Sequence, residues 1–274
     1  MKKKCARIVA AATGALLALT TAPAAQALPN YGKEMVTFGD SFTANGGTPG
    51  RGVPSAGNGL KPCWNDTMNW AHQTARKLKH DLADYSCNGT SVWVDAYVTD
   101  AIVSRHIGPR TKEVVFMYGG LQPGSHVDAV ANAAAPDVPK SSTYRGLLEA
   151  QFRKIRAVAP NARITMTNYL PMTVNDVACI VNAGPGLRVN TLVPGATTYE
   201  ETYAREIGNA AAALNVNFID VHSKGKTHDA CQPNPKLRWT TIVPTPDAPA
   251  TMPAHPTDAG HIGMANIISA ALRR

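Results

Sequence analysis

The sequence predicts a single α/β domain in which helices cover both faces of a five-stranded parallel sheet. Short apolar segments recur at wide intervals, and stretches with helical periodicity separate them. Strands that alternate with helices are joined by right-handed crossovers, and these produce a parallel sheet covered on both faces. The order of the elements predicts a flavodoxin-like, three-layer α/β/α sandwich.

The predicted strands and helices alternate along the chain. The strand segments are Met-Val-Thr-Phe at 35–38, a weaker Asp-Leu-Ala-Asp-Tyr at 81–85, Glu-Val-Val-Phe-Met-Tyr at 113–118, Arg-Ile-Thr-Met-Thr-Asn at 163–168 and Val-Asn-Phe-Ile at 216–219. Helical spacing of apolar residues covers 64–79, 92–105, 142–159 and 199–214, and a last helix is predicted at 262–272. No internal repeat or linker divides the chain, so we expect one domain.

Long irregular segments follow four of the five predicted strands. They cover residues 43–62, 121–139, 171–194 and 222–253. All four lie at the carboxyl ends of their strands, where open parallel sheets bind ligands. Irregular segments of this length are usually functional or disordered. The sequence therefore predicts the functional site at this edge of the sheet.

Residues 1–27 have the pattern of a secretory signal peptide. A basic start, Met1-Lys2-Lys3-Lys4, precedes an apolar segment at 8–19, and Ala25-Gln26-Ala27 supplies the small residues of a cleavage site. A membrane anchor is the alternative, but the apolar segment is shorter than the roughly 20 residues of a spanning helix. We therefore expect a secreted protein whose mature domain covers residues 28–274 and has no integral membrane segment.

The charge of the mature chain gives no sign of a nucleic-acid partner. Four basic residues leave with the signal peptide, so 23 basic and 19 acidic residues remain and the net charge falls from +8 to +4. The remaining sequence has no dense run of Lys and Arg with interleaved aromatic residues, which is typical of nucleic-acid binding. We expect a monomer that acts without a cofactor or nucleic acid.

Four cysteines remain after cleavage, namely Cys63, Cys87, Cys179 and Cys231. In an oxidising compartment they predict two disulfides, with three possible pairings. A metal site is the competing interpretation. No pair has the close Cys-x-x-Cys or Cys/His spacing of a zinc site, so we expect no metal.

Ser41 and His255 are the candidate catalytic residues. The first strand runs into Gly39-Asp40-Ser41, which places a serine hydroxyl at the carboxyl edge of the sheet. His255 lies in a segment just before the last predicted helix. A serine and a histidine of this kind can be the nucleophile and base of one hydrolytic site. The alternative is that Ser41 only caps a helix, and we expect Asp40 to bond neighbouring backbone.

Several motifs resemble the conserved blocks of the SGNH (GDSL-like) hydrolases. Phe38-Gly39-Asp40-Ser41-Phe42 is similar to the first block, Cys87-Asn88-Gly89-Thr90-Ser91 to the second, and His255-Pro256-Thr257 to the last. Tyr169-Leu170-Pro171 also resembles the end of the family's fourth strand. The resemblance covers essentially the whole mature chain, and it is strongest to secreted actinobacterial lipases and esterases.

The resemblance implies a secreted serine esterase or lipase that acts on an ester, a lipid or an acylated glycan. Ser41 would be the nucleophile and His255 the base, with the backbone N–H groups of Ser41 and Gly89 in the oxyanion hole. It also implies neighbouring disulfides, which are Cys63–Cys87 and Cys179–Cys231. The first would brace the loop of Gly89.

The sequence departs from the family at the third block, Gly-x-Asn, whose asparagine donates to the oxyanion. Here the third strand runs into Gly119-Gly120-Leu121-Gln122. Without a gap, Leu121 takes the position of the asparagine, and leucine cannot donate a hydrogen bond. With a shift of one residue, Gln122 becomes a substitute donor, and we take it as the third candidate.

The second departure concerns the acid that orients the histidine. The family often has an aspartate three residues before it, and that position is Met252 here. We expect the backbone carbonyl of Met252 to orient His255, with Asp247 as the alternative acid. Asp258 is expected in the first turn of the last helix. His261 is expected to be a packed or capping histidine.

Two other classes of function remain open on this sequence. The same scaffold suits a carbohydrate deacetylase or an acyltransferase. A catalytically weak binding protein that kept the fold and lost the asparagine is the third hypothesis.

Overall fold

The computed structural model describes residues 30–89, 93–118, 141–184 and 186–274. Its strands are β1 (Met35–Gly39), β2 (Gly52–Pro54), β3 (Trp64–Asp66), β4 (Leu82–Asp84), β5 (Glu113–Met117), β6 (Arg163–Thr167), β7 (Val177–Asn182), β8 (Arg188–Leu192), β9 (Asn217–Ile219), β10 (Thr240–Thr241) and β11 (His255–Pro256). Its helices are α1 (Ser41–Ala44), α2 (Trp70–Leu78), α3 (Val94–Val103), α4 (Ser141–Val158), α5 (Ala196–Ala213), α6 (Val221–Lys224) and α7 (Asp258–Leu272). The predicted signal peptide lies outside the described residues.

A five-stranded parallel sheet has the order β4-β1-β5-β6-β9. In chain order these are strands two, one, three, four and five, which is the flavodoxin-like order. All five predicted strands are present within one or two residues of their expected bounds. The predicted fold class is confirmed.

The sheet is buried between two groups of helices. β1 is buried at every residue, and the ring of Phe38 stacks on those of Tyr85 and Phe116 at centroid distances of 5.4 and 4.9 Å. α2 packs against α7, whereas α4 packs against both α3 and α5. These contacts divide the helices into one group of α2 and α7 and another of α3, α4 and α5, one on each face of the sheet, which gives the three layers.

The predicted helix at 64–79 is wrong over its first residues. Trp64–Asp66 forms β3, which pairs antiparallel with β2, and α2 begins only at Trp70. The side chain of Asn69 accepts the His72 N–H at 2.9 Å and therefore caps α2 at its N-terminus. A polar cap inside the periodic segment thus separates a hairpin strand from the helix.

Short antiparallel pairs form within or directly beside three of the long segments that we expected to be irregular. β2 pairs with β3, β7 with β8, and β10 with β11. α7 begins four residues before its predicted start because Thr257 caps it, with its hydroxyl accepting the Gly260 N–H at 3.1 Å. Asp258 lies in the first turn of α7, as predicted.

Two disulfides link loops at the carboxyl side of the sheet. Cys63 pairs with Cys87 and Cys179 with Cys231, which is the pairing that the resemblance implies. Cys87 follows β4, and its N–H donates to the carbonyl of Gly39 at 3.0 Å. The first disulfide therefore holds the loop after β4 beside the end of β1. In the described part of the chain, no helix has the length and apolar character of a bilayer-spanning segment.

Candidate active site

Ser41 is the first residue of α1, at the carboxyl end of β1. The side chain of Asp40 accepts the Phe42 N–H at 3.0 Å and caps this short helix. Asn45 ends it in the left-handed conformation (φ 49°), and its N–H donates to the Ser41 carbonyl at 3.0 Å. The capping residue is therefore Asp40, and the Ser41 hydroxyl is left available for other partners.

The second carboxylate oxygen of Asp40 accepts a hydrogen bond from a residue in the loop after β6. The hydroxyl of Tyr169 donates to Asp40 Oδ2, and the Tyr169 ring packs edge-on against Phe42 at a centroid distance of 4.6 Å. Phe42 lies 5.7 Å from the His255 ring by the same measure. Asp40 thus bonds backbone and a neighbouring tyrosine, which agrees with the structural role that we expected for it.

Ser41 and His255 are hydrogen-bonded, although 214 positions separate them. The distance between Ser41 Oγ and His255 Nε2 is 2.7 Å, and His255 Nδ1 lies 2.7 Å from the carbonyl oxygen of Pro253. A carbonyl can only accept, so Nδ1 carries the proton and Nε2 accepts from the serine hydroxyl. This is the tautomer that a general base requires.

The orienting carbonyl is that of Pro253, which corrects the prediction of Met252. Ala254 between Pro253 and His255 has φ of 57°, in the left-handed region. This turn brings the Pro253 carbonyl back to the imidazole two residues later. The Met252 sulfur instead lies 3.6 Å from Asn88 Nδ2, in the loop after β4. The sequence gives no sign of a left-handed alanine, so the choice between residues 252 and 253 could not be predicted.

Asp247, the alternative acid, has other partners. Its Oδ1 accepts the Thr245 hydroxyl at 2.6 Å, and its Oδ2 lies 3.7 Å from Nη1 of Arg238. The Arg238 side chain is fully buried, so Asp247 supplies charge compensation for it. The structure does not bring Asp247 to His255.

Burial is the main influence on the His255 imidazole, and it lowers the pKa of that group below its ordinary value. The Pro253 carbonyl and the charge of Asp40 act in the opposite direction, since both favour the imidazolium. The net direction is downward. His255 is therefore neutral at neutral pH and able to accept a proton.

Gly89 lies in the loop after β4 with φ of 71°, a conformation that favours glycine. Its neighbour Asn88 ties this loop to the segment after α1: the Asn88 Nδ2 donates to the Gly46 carbonyl at 3.1 Å. The Lys61 ammonium donates to the Asn88 carbonyl, also at 3.1 Å. Gln122 lies outside the described residues. The oxyanion donors Ser41, Gly89 and Gln122 therefore stay predictions.

His261 is fully buried on α7, where its Nδ1 accepts the Trp70 N–H at 3.3 Å. It satisfies the first backbone N–H of α2, next to the Asn69 cap, in agreement with the expected packed or capping role. Burial lowers its pKa to about 3. Its second nitrogen has no hydrogen-bond partner among the described residues.

Sequence reasoning missed a charged cluster beside the site, formed by Arg51, Asp66 and Asp258. Arg51 binds both carboxylates, at 2.6 Å for Asp66 and 2.8 Å for Asp258. A pairing across 207 positions leaves no local pattern in a single sequence. In the part of the chain that the structure describes, no group of three or more His, Cys, Asp or Glu residues could hold a metal ion.

Comparison with solved structures shows the same fold in several hydrolases. The extracellular lipase of Streptomyces rimosus is 19% identical, with 86% of this chain and 98% of the lipase covered and a TM-score of 0.57. Phospholipase A1 of Streptomyces albidoflavus NA297 is 18% identical, with coverage of 89% and 100% and a TM-score of 0.57. A carbohydrate esterase family 2 enzyme of Corynascus thermopiles (Myceliophthora fergusii) is 16% identical, with coverage of 90% and 66% and a TM-score of 0.52.

At these identities the likeness shows the fold alone. A comparison with curated protein sequences gives no match. The model of the GDSL-like Lipase/Acylhydrolase family, however, matches residues 37–261, which extend from β1 to α7 and include both Ser41 and His255. The chain therefore belongs to the GDSL-like lipase/acylhydrolase family.

Proposed function

We propose that this chain is a secreted carboxylic ester hydrolase in which Ser41 is the nucleophile and His255 the general base. The observation that carries the proposal is the pair of 2.7 Å contacts that joins Ser41 Oγ to His255 Nε2 and His255 Nδ1 to Pro253 O. The first contact sets the path of the proton, and the second selects the tautomer that accepts it.

In the first step, Ser41 Oγ attacks the ester carbonyl while its proton moves to His255 Nε2. The tetrahedral intermediate collapses, the bond to the alcohol breaks, and His255 returns the proton to the departing alkoxide. The acyl group now forms an ester with Ser41. A water molecule then attacks this acyl-enzyme with His255 again as the base, which releases the carboxylic acid and restores the serine.

The negative charge that develops on the carbonyl oxygen requires preorganised donors. The backbone N–H groups of Ser41 and Gly89 are our proposed donors, and Gln122 is the proposed third. Removal of one such donor costs roughly 3 kcal/mol of transition-state stabilisation in other hydrolases. A side-chain amide on the longer arm of Gln122 would act in place of the asparagine of the family motif.

The bond from Nδ1 to a carbonyl, rather than to a carboxylate, has an energetic consequence. The Pro253 carbonyl holds the imidazole and its tautomer, but it carries only a partial negative charge and stabilises the imidazolium less than an aspartate would. Among described side chains, Asp40 is the carboxylate whose charge raises the pKa of His255. We expect catalysis slower than that of a full triad.

Secretion forms part of the proposal. Removal of residues 1–27 after Ala27 would leave the mature domain at 28–274. Two disulfides, Cys63–Cys87 and Cys179–Cys231, suit an oxidising compartment. N-terminal sequencing of the protein from the culture medium tests this point: a first residue of Leu28 is expected, and a retained Met1 would contradict it.

Hydrolysis of chromogenic p-nitrophenyl esters of increasing acyl length tests the activity. The wild-type protein should release p-nitrophenol, and Ser41→Ala should abolish the release. Ser142→Ala, at an exposed serine in the first turn of α4, is the matched control and should keep full activity. Hydrolysis that survives in Ser41→Ala would overturn the proposal.

Two further outcomes identify the competing functions. Acyl transfer to a sugar or alcohol acceptor in preference to water would indicate an acyltransferase, and release of acetate only from acetylated glycans would indicate a deacetylase. Binding of ligand without turnover would indicate the catalytically weak binding protein.

A further inference from the structure

The Arg51 side chain joins the two segments that carry Ser41 and His255. Its Nη1 and Nη2 donate to the two carboxylate oxygens of Asp258 at 2.9 and 2.8 Å, which is a bidentate pair. The same Nη2 donates to Oδ2 of Asp66 at 2.6 Å. One guanidinium therefore bridges two carboxylates from distant parts of the chain, a geometry that lysine cannot reproduce.

The Asp66 end of this bridge is anchored to the helix of the nucleophile. Oδ2 of Asp66 also accepts from Nδ2 of Asn45 at 2.8 Å, and Asn45 is the residue that ends α1. The backbone N–H of Asn45 donates to the carbonyl of Ser41 itself. Asp66 has no exposed side-chain area, and Asn45 is likewise buried, so these contacts have little freedom to shift.

The Asp258 end is anchored to the segment of the base. Asp258 is the first residue of α7 and lies three positions after His255. Thr257 between them donates its N–H to Trp239 O at 2.9 Å and its hydroxyl to Arg238 O at 2.7 Å. Because the segment is short and hydrogen-bonded, a displacement of Asp258 would also displace His255.

Two further contacts join the segment after α1 to the segment before His255. The hydroxyl of Thr251 donates to the carbonyl of Asn45 at 3.2 Å, and it lies 2.8 Å from the hydroxyl of Thr48. A surface cleft that includes Thr48 and Thr251 in its lining opens onto Arg51 and Asp258. The guanidinium is therefore reachable from solvent, although Asp66 behind it is not.

We infer that Arg51 is a positioning residue: by holding Asp66 and Asp258 together, it keeps His255 within hydrogen-bond distance of Ser41. This inference rests on the proposed function. The 2.7 Å contact between Ser41 and His255 has to be held closely. A displacement of about 1 Å in such a site costs on the order of a hundredfold in rate. The partner of Nδ1 is a carbonyl on the imidazole's own segment, so the position of that segment is more important.

The test compares Arg51→Ala and Arg51→Lys with the wild-type protein. We expect kcat for a p-nitrophenyl ester to fall by about ten- to a hundredfold in Arg51→Ala while KM changes little, because a residue that only positions the base affects the chemical step more than substrate binding. Arg51→Lys should recover only part of the loss. Guanidinium ion, added well below concentrations that unfold the protein, should enter through the cleft and restore kcat in Arg51→Ala but not in the wild-type protein.

Asp258→Asn is the second variant, because Asp258 is partly exposed and its replacement leaves no buried carboxylate without a partner. It should lower kcat in the same direction even if Arg51→Ala fails to fold. The matched control is Arg163→Ala, which removes a bidentate pair with Glu113 (3.0 and 2.6 Å) at the opposite edge of the sheet and a contact with the Leu272 carbonyl at the far end of α7. It should lower the melting temperature, because the largely buried Glu113 carboxylate loses its partner, and it should leave kcat within about twofold.

Three outcomes would overturn the inference: kcat within about twofold of wild type in folded Arg51→Ala and Asp258→Asn, a rise in KM with unchanged kcat, or an equal loss of kcat in Arg163→Ala. A loss in folded Arg51→Ala that guanidinium does not restore would also count against it. The proposed function fails separately, if the wild-type protein hydrolyses no ester. In that case the nitrogen-15 NMR shift of His255 Nε2, the atom that accepts from Ser41, still reports the geometry, and in Arg51→Ala it should move toward the value of an imidazole without that hydrogen bond.

Discussion

We predict that His261 makes the free energy of unfolding depend on pH. The imidazole is fully buried, and its Nδ1 accepts the Trp70 N–H, so only the neutral form fits the folded state. Burial lowers its pKa to about 3, against about 6.5 in an unfolded chain. Between these values the unfolded state binds the additional proton, so stability is complete above about pH 6.5 and is lost as the pH falls toward 3.

The magnitude follows from the two pKa values. Between pH 7.5 and pH 5.0, protonation of the unfolded imidazole lowers the free energy of unfolding by about 2 kcal/mol, at 1.36 kcal/mol per pKa unit. His261→Asn places an amide oxygen near the position of Nδ1, where it can still accept the Trp70 N–H, and it does not titrate. The variant loses stability at both pH values because the smaller side chain leaves a cavity.

The assay is urea denaturation at the two pH values with both disulfides intact. Relative to the wild-type protein, the loss of unfolding free energy from pH 7.5 to pH 5.0 should be smaller by about 2 kcal/mol in His261→Asn. Buried histidines elsewhere contribute equally to both proteins and cancel in this difference. A His261→Asn protein that keeps the full pH dependence of the wild type would refute the reasoning.

Three other predictions follow from the site. Asp247→Asn should change kcat by less than about tenfold, or 1.4 kcal/mol of barrier, whereas His255→Ala should lower kcat by several orders of magnitude. An equal loss of kcat in the two folded variants would make Asp247 the missing acid. The acid limb of the pH profile of kcat/KM should have its midpoint below about pH 6.5, since burial lowers the pKa of His255 and only the neutral imidazole accepts a proton; a midpoint at or above the ordinary value would contradict this. The double alanine variant that lacks the Cys63–Cys87 disulfide should have an unfolding free energy lower by an amount on the order of 2–4 kcal/mol, measured by denaturation. A change near zero would mean that the disulfide does not restrict the unfolded chain.

The parts of the fold that the sequence predicted are those with a strong local signal. The apolar run at Met35–Gly39 is long enough to identify a buried strand, and alternation with helices then determines a parallel sheet. The same local logic placed Ser41 after the strand and His255 before the last helix. Their 2.7 Å contact agrees with the expected pair, although the sequence alone gave no distance.

The missed features depend on geometry that no short motif expresses. The choice of Pro253 over Met252 depends on the left-handed backbone of Ala254, a conformation that alanine rarely adopts. The hairpin of β2 and β3 has only three residues in each strand, too few for a periodic signal. The Arg51–Asp258 pair depends on the tertiary fold, because the partners are 207 positions apart.

The most direct test of the central claim is covalent labelling with a fluorophosphonate, followed by mass spectrometry of the peptides. The reagent reacts with a serine whose hydroxyl is activated by a neighbouring base, so it should modify Ser41 alone in the wild-type protein. Labelling should be lost in Ser41→Ala and strongly slowed in His255→Ala, which removes the base 2.7 Å away. Modification of a different serine, at a rate that His255→Ala leaves unchanged, would contradict the account.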